Sequence, residues 1–369
     1  MNPSNSTKIS FSGLNEIRAI AAFLVVFHHL ESLKKSEWLT SIYDIKFLFD
    51  FVKNIGHNGV ILFFTLSGFL ITYLLLFEKK KFGFIDIKSF YVRRILRIWP
   101  LYFLIIIIGF FILPLINEFS LFDNQKYYTS LIRKIDYTTL PLYILFLSNF
   151  ALGFYKPIVG ASQSWSVSVE EQFYLLWPWL VNKITNTKLL FFLILSIAVL
   201  KPIIEILITN NNLKMIIHVV QIEYMCTGSL FAILLYTDKI PIVFTKHRIL
   251  ILSITIVAIL FQFVFHINNM LISLFFGVFI LIISQSKFKN KPLFYFGKIS
   301  YGIYMYHPFI MFICFSLAKH LAKNELLFNA IYYSSTLLFT ILISHLSYYY
   351  FESKFLNFKH KFTKIESGA

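Results

Sequence analysis

Apolar runs of roughly 17 to 25 residues recur from one end of this 369-residue chain to the other, each about the length an α-helix needs to cross the hydrocarbon of a bilayer. Backbone in lipid must satisfy its own N–H and C=O groups, which for runs this long means helices. Composition agrees, with 57% hydrophobic residues, 14% charged and a mean hydropathy of +0.71. The expected fold class is therefore all-α, a polytopic transmembrane helical bundle.

Candidate spans lie near 11–31, 58–78, 99–117, 139–154, 170–182, 189–208, 215–236, 249–266, 268–285, 299–318 and 327–350. The fourth is short, is interrupted by Pro141 and carries Ser148 and Asn149, so a re-entrant or surface helix is expected there. With ten crossings and a cytoplasmic N-terminus, basic residues fall about twice as often inside as outside, in keeping with the positive-inside tendency. Both termini are then cytoplasmic. Residues 1–369 read as a single membrane domain. The start MNPSNSTKIS lacks a basic, cleavable leader pattern, so the first run reads as a retained helix. Cys226 and Cys314 both lie in apolar runs, which argues against a disulfide framework or a cysteine metal site. The formal charge of +16 is dispersed between spans without an aromatic-basic platform, so no nucleic-acid partner is expected.

Five constellations could carry chemistry. In FSGLNEIRAIAAFLVVFHHL, Arg18 and His29 are eleven residues apart. Eleven helical residues turn about 20° past three full circles and rise about 16 Å, so the two share a face. Ionisable groups at membrane depth are costly and default to a functional hypothesis. An imidazole kept neutral by a low-dielectric interior suits a general base, whereas the plain alternative is a packing histidine with a snorkelling arginine.

In KKKFGFIDIKSFYVRRILRIWPLY, Arg93 and Arg97 lie one turn apart with Arg94 between them. Pro100 is best tolerated at a helix start, which would put the arginines just outside the hydrocarbon. They could grip phosphate or merely reflect topology. In QSWSVSVEEQFYLLWPWL, Ser166, Glu170, Phe173 and Trp177 share a face, while Ser168 and Glu171 fit a capping box. Glu170 has no such structural excuse, and Trp165 and Tyr174 beside it are candidate substrate contacts. Ser67 and Gly68 interrupt an apolar helix, as small residues at a close crossing do. Finally, His307 follows three tyrosines and precedes Pro308, so it could face a polar cavity or pack.

No GxSxG elbow, Walker loop, HExxH helix or GxGxxG turn is present, and no metal site is expected. Neither His28 nor His29 is followed by an aspartate at the spacing of soluble glycerolipid acyltransferases.

Taken in order, SGLNEIRAIAAFLVVFHH, GVILFFTLSGFLI, FYVRRILRIWPLY, SWSVSVEEQFYLLWP, GKISYGIYMYHPF and SYYYFESKFL resemble the blocks of the acyltransferase-3 family of integral membrane acyltransferases, which includes bacterial O-acetyltransferases of surface polysaccharides. The resemblance implies an acyltransferase using acetyl-CoA from the cytoplasm as acyl donor, with an acceptor hydroxyl on a cell-envelope glycan or lipid-linked saccharide. His29 corresponds to the family's essential histidine, Arg18 to its partner, Arg93, Arg94 and Arg97 to its basic mouth, and Glu170 to the first acidic residue of its SVEEQFY block. Glu352 matches the acidic residue of the last block, with Lys354 where a proline is usual. Some relatives carry a fused SGNH hydrolase-like domain. None is expected within this sequence, so the chain would act alone or recruit a partner protein. A bacterial inner membrane is implied in the same way. The competing reading is a proton-coupled transporter or flippase that uses the same ionisable residues without covalent chemistry.

Overall fold

A computed structural model describes residues 7–9, 11–118, 125–264, 268–363 and 365–367. The end of the expected span 249–266 and part of the loop 118–138 lie outside those residues. The first helix, α1 (Leu14–Ser36), runs into a short turn and then α2 (Lys46–Phe82). Next comes α3 (Ile87–Ile107), which a wider π turn, Ile108–Ile112, carries into α4 (Leu113–Ile116). Three short helices follow, α5 (Lys126–Arg133), α6 (Leu140–Ile144) and α7 (Ser148–Phe154).

The second half begins with α8 (Trp165–Lys183), α9 (Thr187–Leu207), α10 (Asn211–His218) and α11 (Ile222–Tyr236). It continues through α12 (Ile242–Lys246), α13 (Arg248–Val264), α14 (Asn269–Ser284) and α15 (Lys291–Lys298). The last long helices are α16 (Ser300–Leu321) and α17 (Glu325–Leu346), and a π stretch, Ser347–Glu352, joins α17 to α18 (Ser353–Lys359). Lys354 thus sits in unbroken helix. One small parallel strand pair, Thr7–Ile9 with Ile365–Ser367, ties the two ends of the chain together.

Six stretches among the described residues are long and apolar enough to cross a membrane: Val52–Phe82, Ile87–Ile116, Thr187–Leu207, Asn211–Tyr236, Ser300–Leu321 and Glu325–Lys359. Two apolar helices are shorter, Arg248–Phe261 and Asn269–Ser284. α1 and α8 interrupt their apolar faces with the ionisable and polar residues singled out above. The chain is an integral membrane protein.

The stretch 139–154 does not form one helix. α6 and α7 meet at a bend where Phe146 adopts φ 56°, and neither is long enough to cross. Gln172 anchors the bend from α8, donating to Phe146 O and Asn149 Oδ1, both at 2.9 Å.

Two local expectations need correction. Pro100 is not at a helix start but inside α3, so Arg93, Arg94 and Arg97 ride on the same rod that enters the bundle. Proline lacks the N–H that would bond the carbonyl four residues back, Leu96 O; α16 packs against this stretch of α3, the Tyr301 hydroxyl donating to Ile98 O at 2.8 Å. Nor is Ser168 a cap. A turn over Ser162–Ser164 starts α8 at Trp165, so Ser168 is internal and fully buried, 2.7 Å from Ser148 Oγ. Glu171 instead accepts from Trp99 Nε1 at 3.3 Å.

α2 is the central rod, packed against α1, α8, α11, α13 and α14. Its crossing with α11 depends on glycine from both sides. A Cβ on Gly68 would stand 1.9 Å from Met225 O, and one on Gly228 would stand 1.8 Å from Thr65 O. Such backbone-to-backbone approach is how helices gain packing energy in lipid, where no hydrophobic force separates them from their solvent.

Candidate active site

Beside that crossing, α1, α2, α3, α8 and α16 enclose a cavity of about 120 Å³. Arg18 enters it from α1, Ser67 from α2, Arg94 and Arg97 from α3, and Ser166, Glu170 and Tyr174 from α8. The α8 residues are presented together because 166, 170 and 174 follow one another at four-residue steps on one helix face. Tyr301 and Tyr304 of α16 complete the wall.

The charges here are unevenly matched. Arg18 donates to Asn15 Oδ1 at 3.0 Å, and the Arg94 guanidinium lies 5.5 Å from the ring centres of Phe90 and Tyr174. Among the described residues, none of Arg18, Arg94 and Arg97 has a carboxylate within ion-pair distance. The Arg94 Nε is buried without a hydrogen-bond partner. The one lining carboxylate, Glu170, is held by hydroxyls: Ser67 donates to Oε1 at 2.8 Å and Tyr174 to Oε2 at 3.1 Å, with 2.9 Å between the two hydroxyl oxygens. A cavity with three guanidiniums and one carboxylate is electrostatically suited to an anion.

A second cavity of about 100 Å³ shares Arg94 and Arg97 with the first and adds Glu78, Arg93 and Lys359. Arg93 is already engaged there, with Glu78 Oε2 at 3.3 Å and Phe362 O at 2.8 Å. Arg94 and Arg97 stand in the wall common to both spaces.

His29 does not line either cavity. Its ring centre lies 5.2 Å from that of His307 and 5.2 Å from that of His28. His28 Nδ1 is 3.0 Å from Val52 O. His307 is fully buried, with Nδ1 3.2 Å from Ile303 O and Nε2 without a partner. A carbonyl can only accept, which places the ring proton on Nδ1 and leaves Nε2 as the free acceptor. The His307 ring centre is 6.0 Å from that of Tyr304. The Tyr304 hydroxyl in turn is 2.7 Å from Ser166 Oγ at the cavity wall.

Arg18, Arg94, Arg97, Glu170, Ser166 and Tyr174 are thus brought together. His29 and His307 form a separate pair linked to them through Tyr304, Arg93 lies beyond the shared wall, and Trp165 packs edge-on against Phe64 at 6.0 Å, outside the lining. Sequence reasoning missed Ser67 as a polar partner, since only tertiary packing brings it to Glu170 across 103 residues. Tyr301 and Tyr304 were visible only as tyrosines preceding His307.

Comparison with known proteins bears on this arrangement. The profile of the acyltransferase domain of acyltransferase-3 matches residues 11–345. An uncharacterised protein of Haemophilus influenzae is 30% identical over 228 residues, covering 56% of this chain and 87% of its own length. The O-acetyltransferase OatA of Staphylococcus aureus is 25% identical over 370 residues, 92% of this chain, which spans 56% of OatA's length. No solved structure matches. A domain match over nearly the whole bundle, including every element that lines the cavity, establishes that this chain belongs to the acyltransferase-3 family.

Proposed function

We propose that the chain is an O-acetyltransferase that moves an acetyl group from acetyl-CoA, bound from the cytoplasm, to a hydroxyl of a cell-envelope glycan. One observation carries this reading: Arg18, Arg94 and Arg97, none with a carboxylate in pairing range among the described residues, line one cavity, and Arg94 and Arg97 also line its neighbour, at the end of α1 from which His29 lies about 16 Å further along the helix. Phosphates of the donor would meet Arg94 and Arg97, which suit bidentate anion recognition. Its thioester would lie deeper, toward Tyr304 and the histidines.

There His29 takes the proton of the acceptor hydroxyl as the oxygen attacks the thioester carbonyl. The tetrahedral intermediate collapses with cleavage of the C–S bond, and the imidazolium returns its proton to the departing thiolate. Arg18, about 16 Å along α1 from His29, anchors the donor at the arginine cavity, while Glu170, fixed by Ser67 and Tyr174, orients the acceptor. In this reading the chain crosses a bacterial inner membrane ten times with both termini cytoplasmic. Family membership favours chemistry over a carrier.

The test is incubation of purified protein in nanodiscs with acetyl-labelled acetyl-CoA and envelope glycan. Label in ester linkage on the glycan is the expected result. Uptake or movement of glycan with acetyl-CoA left intact would overturn the proposal in favour of transport.

A further inference from the structure

The second cavity is bounded on one side by the C-terminal segment. Lys359, the last residue of α18, lines it together with Thr363 and Ile365. Tethers fix this segment in place. The Thr363 hydroxyl donates to Lys359 O at 2.8 Å, and Arg93 Nη1 donates to Phe362 O, also at 2.8 Å. Ile365 pairs with Thr7 in the strand pair that joins the two ends of the chain. α18 itself packs along α3, the helix that carries the arginines.

The charges of this cavity divide into engaged and unengaged. Glu78 is its one lining carboxylate among the described residues, and both of its oxygens are in use, Oε2 by Arg93 at 3.3 Å and Oε1 by the Asp86 N–H at 3.0 Å. Arg94, Arg97 and Lys359 are left with no carboxylate in pairing range among the described residues. A lysine that merely ends a membrane helix extends its ammonium to the interface. Lys359 instead shares a cavity wall with Ile71, Leu75 and Phe90. Its backbone is held firmly while its charge is unclaimed, and an ammonium beside two guanidiniums is a set of groups suited to phosphate.

We propose that Lys359 is the residue that recognises the 3′-phosphate of the donor nucleotide. The proposal rests on the acetyl-CoA reading given above. In that reading the thioester reaches toward His29, so the pantetheine arm occupies the first cavity and the diphosphate meets Arg94 and Arg97 in the wall common to both. The ribose 3′-phosphate is the next anionic group along the molecule, and the second cavity is the next space beyond that wall. Arg93 has the complementary task. Its charge is taken by Glu78 and Phe362 O, and through the second of these it holds the segment that carries Lys359.

Calorimetric titration of the full chain in phosphatidylcholine nanodiscs, with coenzyme A and separately with 3′-dephospho-coenzyme A, tests this without requiring turnover. The parent should bind coenzyme A at least about tenfold more tightly, the worth of a hydrogen bond to a charged group. Lys359→Gln should lose that margin and leave the affinity for 3′-dephospho-coenzyme A unchanged, which also shows that the variant is folded. Lys359→Arg keeps the charge and should keep the preference. Equal affinities in the parent, a preference that survives Lys359→Gln, or an equal loss for both ligands in Lys359→Gln would each overturn the assignment. The last outcome is the signature of a lysine that only holds the C-terminal segment, since it weakens every ligand alike. Transfer of labelled acetyl to envelope glycan separates this proposal from the one it rests on. A 3′-phosphate preference in a chain that transfers no acetyl sinks the enzyme and leaves the subsite, whereas transfer that proceeds equally well from acetyl-CoA and its 3′-dephospho analogue does the reverse.

Discussion

Two clusters of charge lie in the same bundle and differ in how they are neutralised. Between α9, α10 and α11, Lys201 sits 3.0 Å from Glu205 and 2.8 Å from Glu223, and His218 Nδ1 is 2.8 Å from Glu205. Each charge there has a protein partner. Around the arginine cavity, Arg18, Arg94 and Arg97 have no carboxylate in pairing range among the described residues, and Glu170 leans on hydroxyls. Closed ion networks hold helices together, whereas an excess of one sign in a cavity is a place for an incoming counter-charge. Family membership places the second cluster in an acyltransferase.

The largest test of that contrast is His29→Ala. Loss of a general base costs about 10² to 10⁴ in rate, so labelled transfer should fall by that factor while thermal unfolding in detergent stays at the parental temperature. Near-normal transfer in a folded variant would remove His29 from the chemistry and leave the arginine cavity without a base.

Lys201→Met should behave in the opposite way. Removing one partner from a buried pair strands the other charge at a cost of about 3 kcal/mol or more, and Glu223 is only 3% exposed. A lowered unfolding temperature with unchanged dependence of rate on acetyl-CoA is expected. A changed donor requirement would mean that the paired cluster also belongs to the site.

Replacing Arg94 and Arg97 with glutamine reverses that signature again. Hydrogen bonds to charged groups are worth about 1.5 to 3 kcal/mol. Each such bond removed between arginine and donor phosphate therefore raises the acetyl-CoA concentration needed for half-maximal rate by about 10- to 100-fold. Stability should hold or improve, because neither arginine has a carboxylate partner to lose among the described residues. An unchanged donor requirement would return both arginines to topology.

What the sequence made legible follows from range. The Arg18–His29 spacing, the four-residue steps of α8 and the apolar spans are all periodicities within one helix, and short-range geometry carries them. The errors arise where a neighbour intervenes. Ser168 and Glu171 have the spacing of a cap, but α8 begins three residues earlier because the turn at 162–164 precedes it. Pro100 reads as a boundary, but α3 runs through it from Ile87 to Ile107 with Tyr301 of α16 packed alongside. The separation of His29 from the cavity lining likewise depends on α16, which interposes His307 and Tyr304.

Ser67 offers the finest probe of the unpaired cluster because it joins the packing crossing to the chemistry. Its neighbour Gly68 lies against α11, while its own hydroxyl bonds both Glu170 and Tyr174. Ser67→Ala keeps the helix crossing and removes one donor from the carboxylate, a loss of about 1 to 2 kcal/mol. If Glu170 works by orienting the acceptor, the maximal rate should fall about 5- to 30-fold with little change in the acetyl-CoA requirement, since Tyr174 still holds Oε2 but no longer fixes the carboxylate from two sides. Ser67→Thr, which retains the hydroxyl, should recover most of that loss. Should Ser67→Ala instead raise the donor requirement at constant maximal rate, the Glu170 triangle would belong to donor binding, and the division between an anion-receiving arginine wall and an acceptor-orienting carboxylate would have to be redrawn.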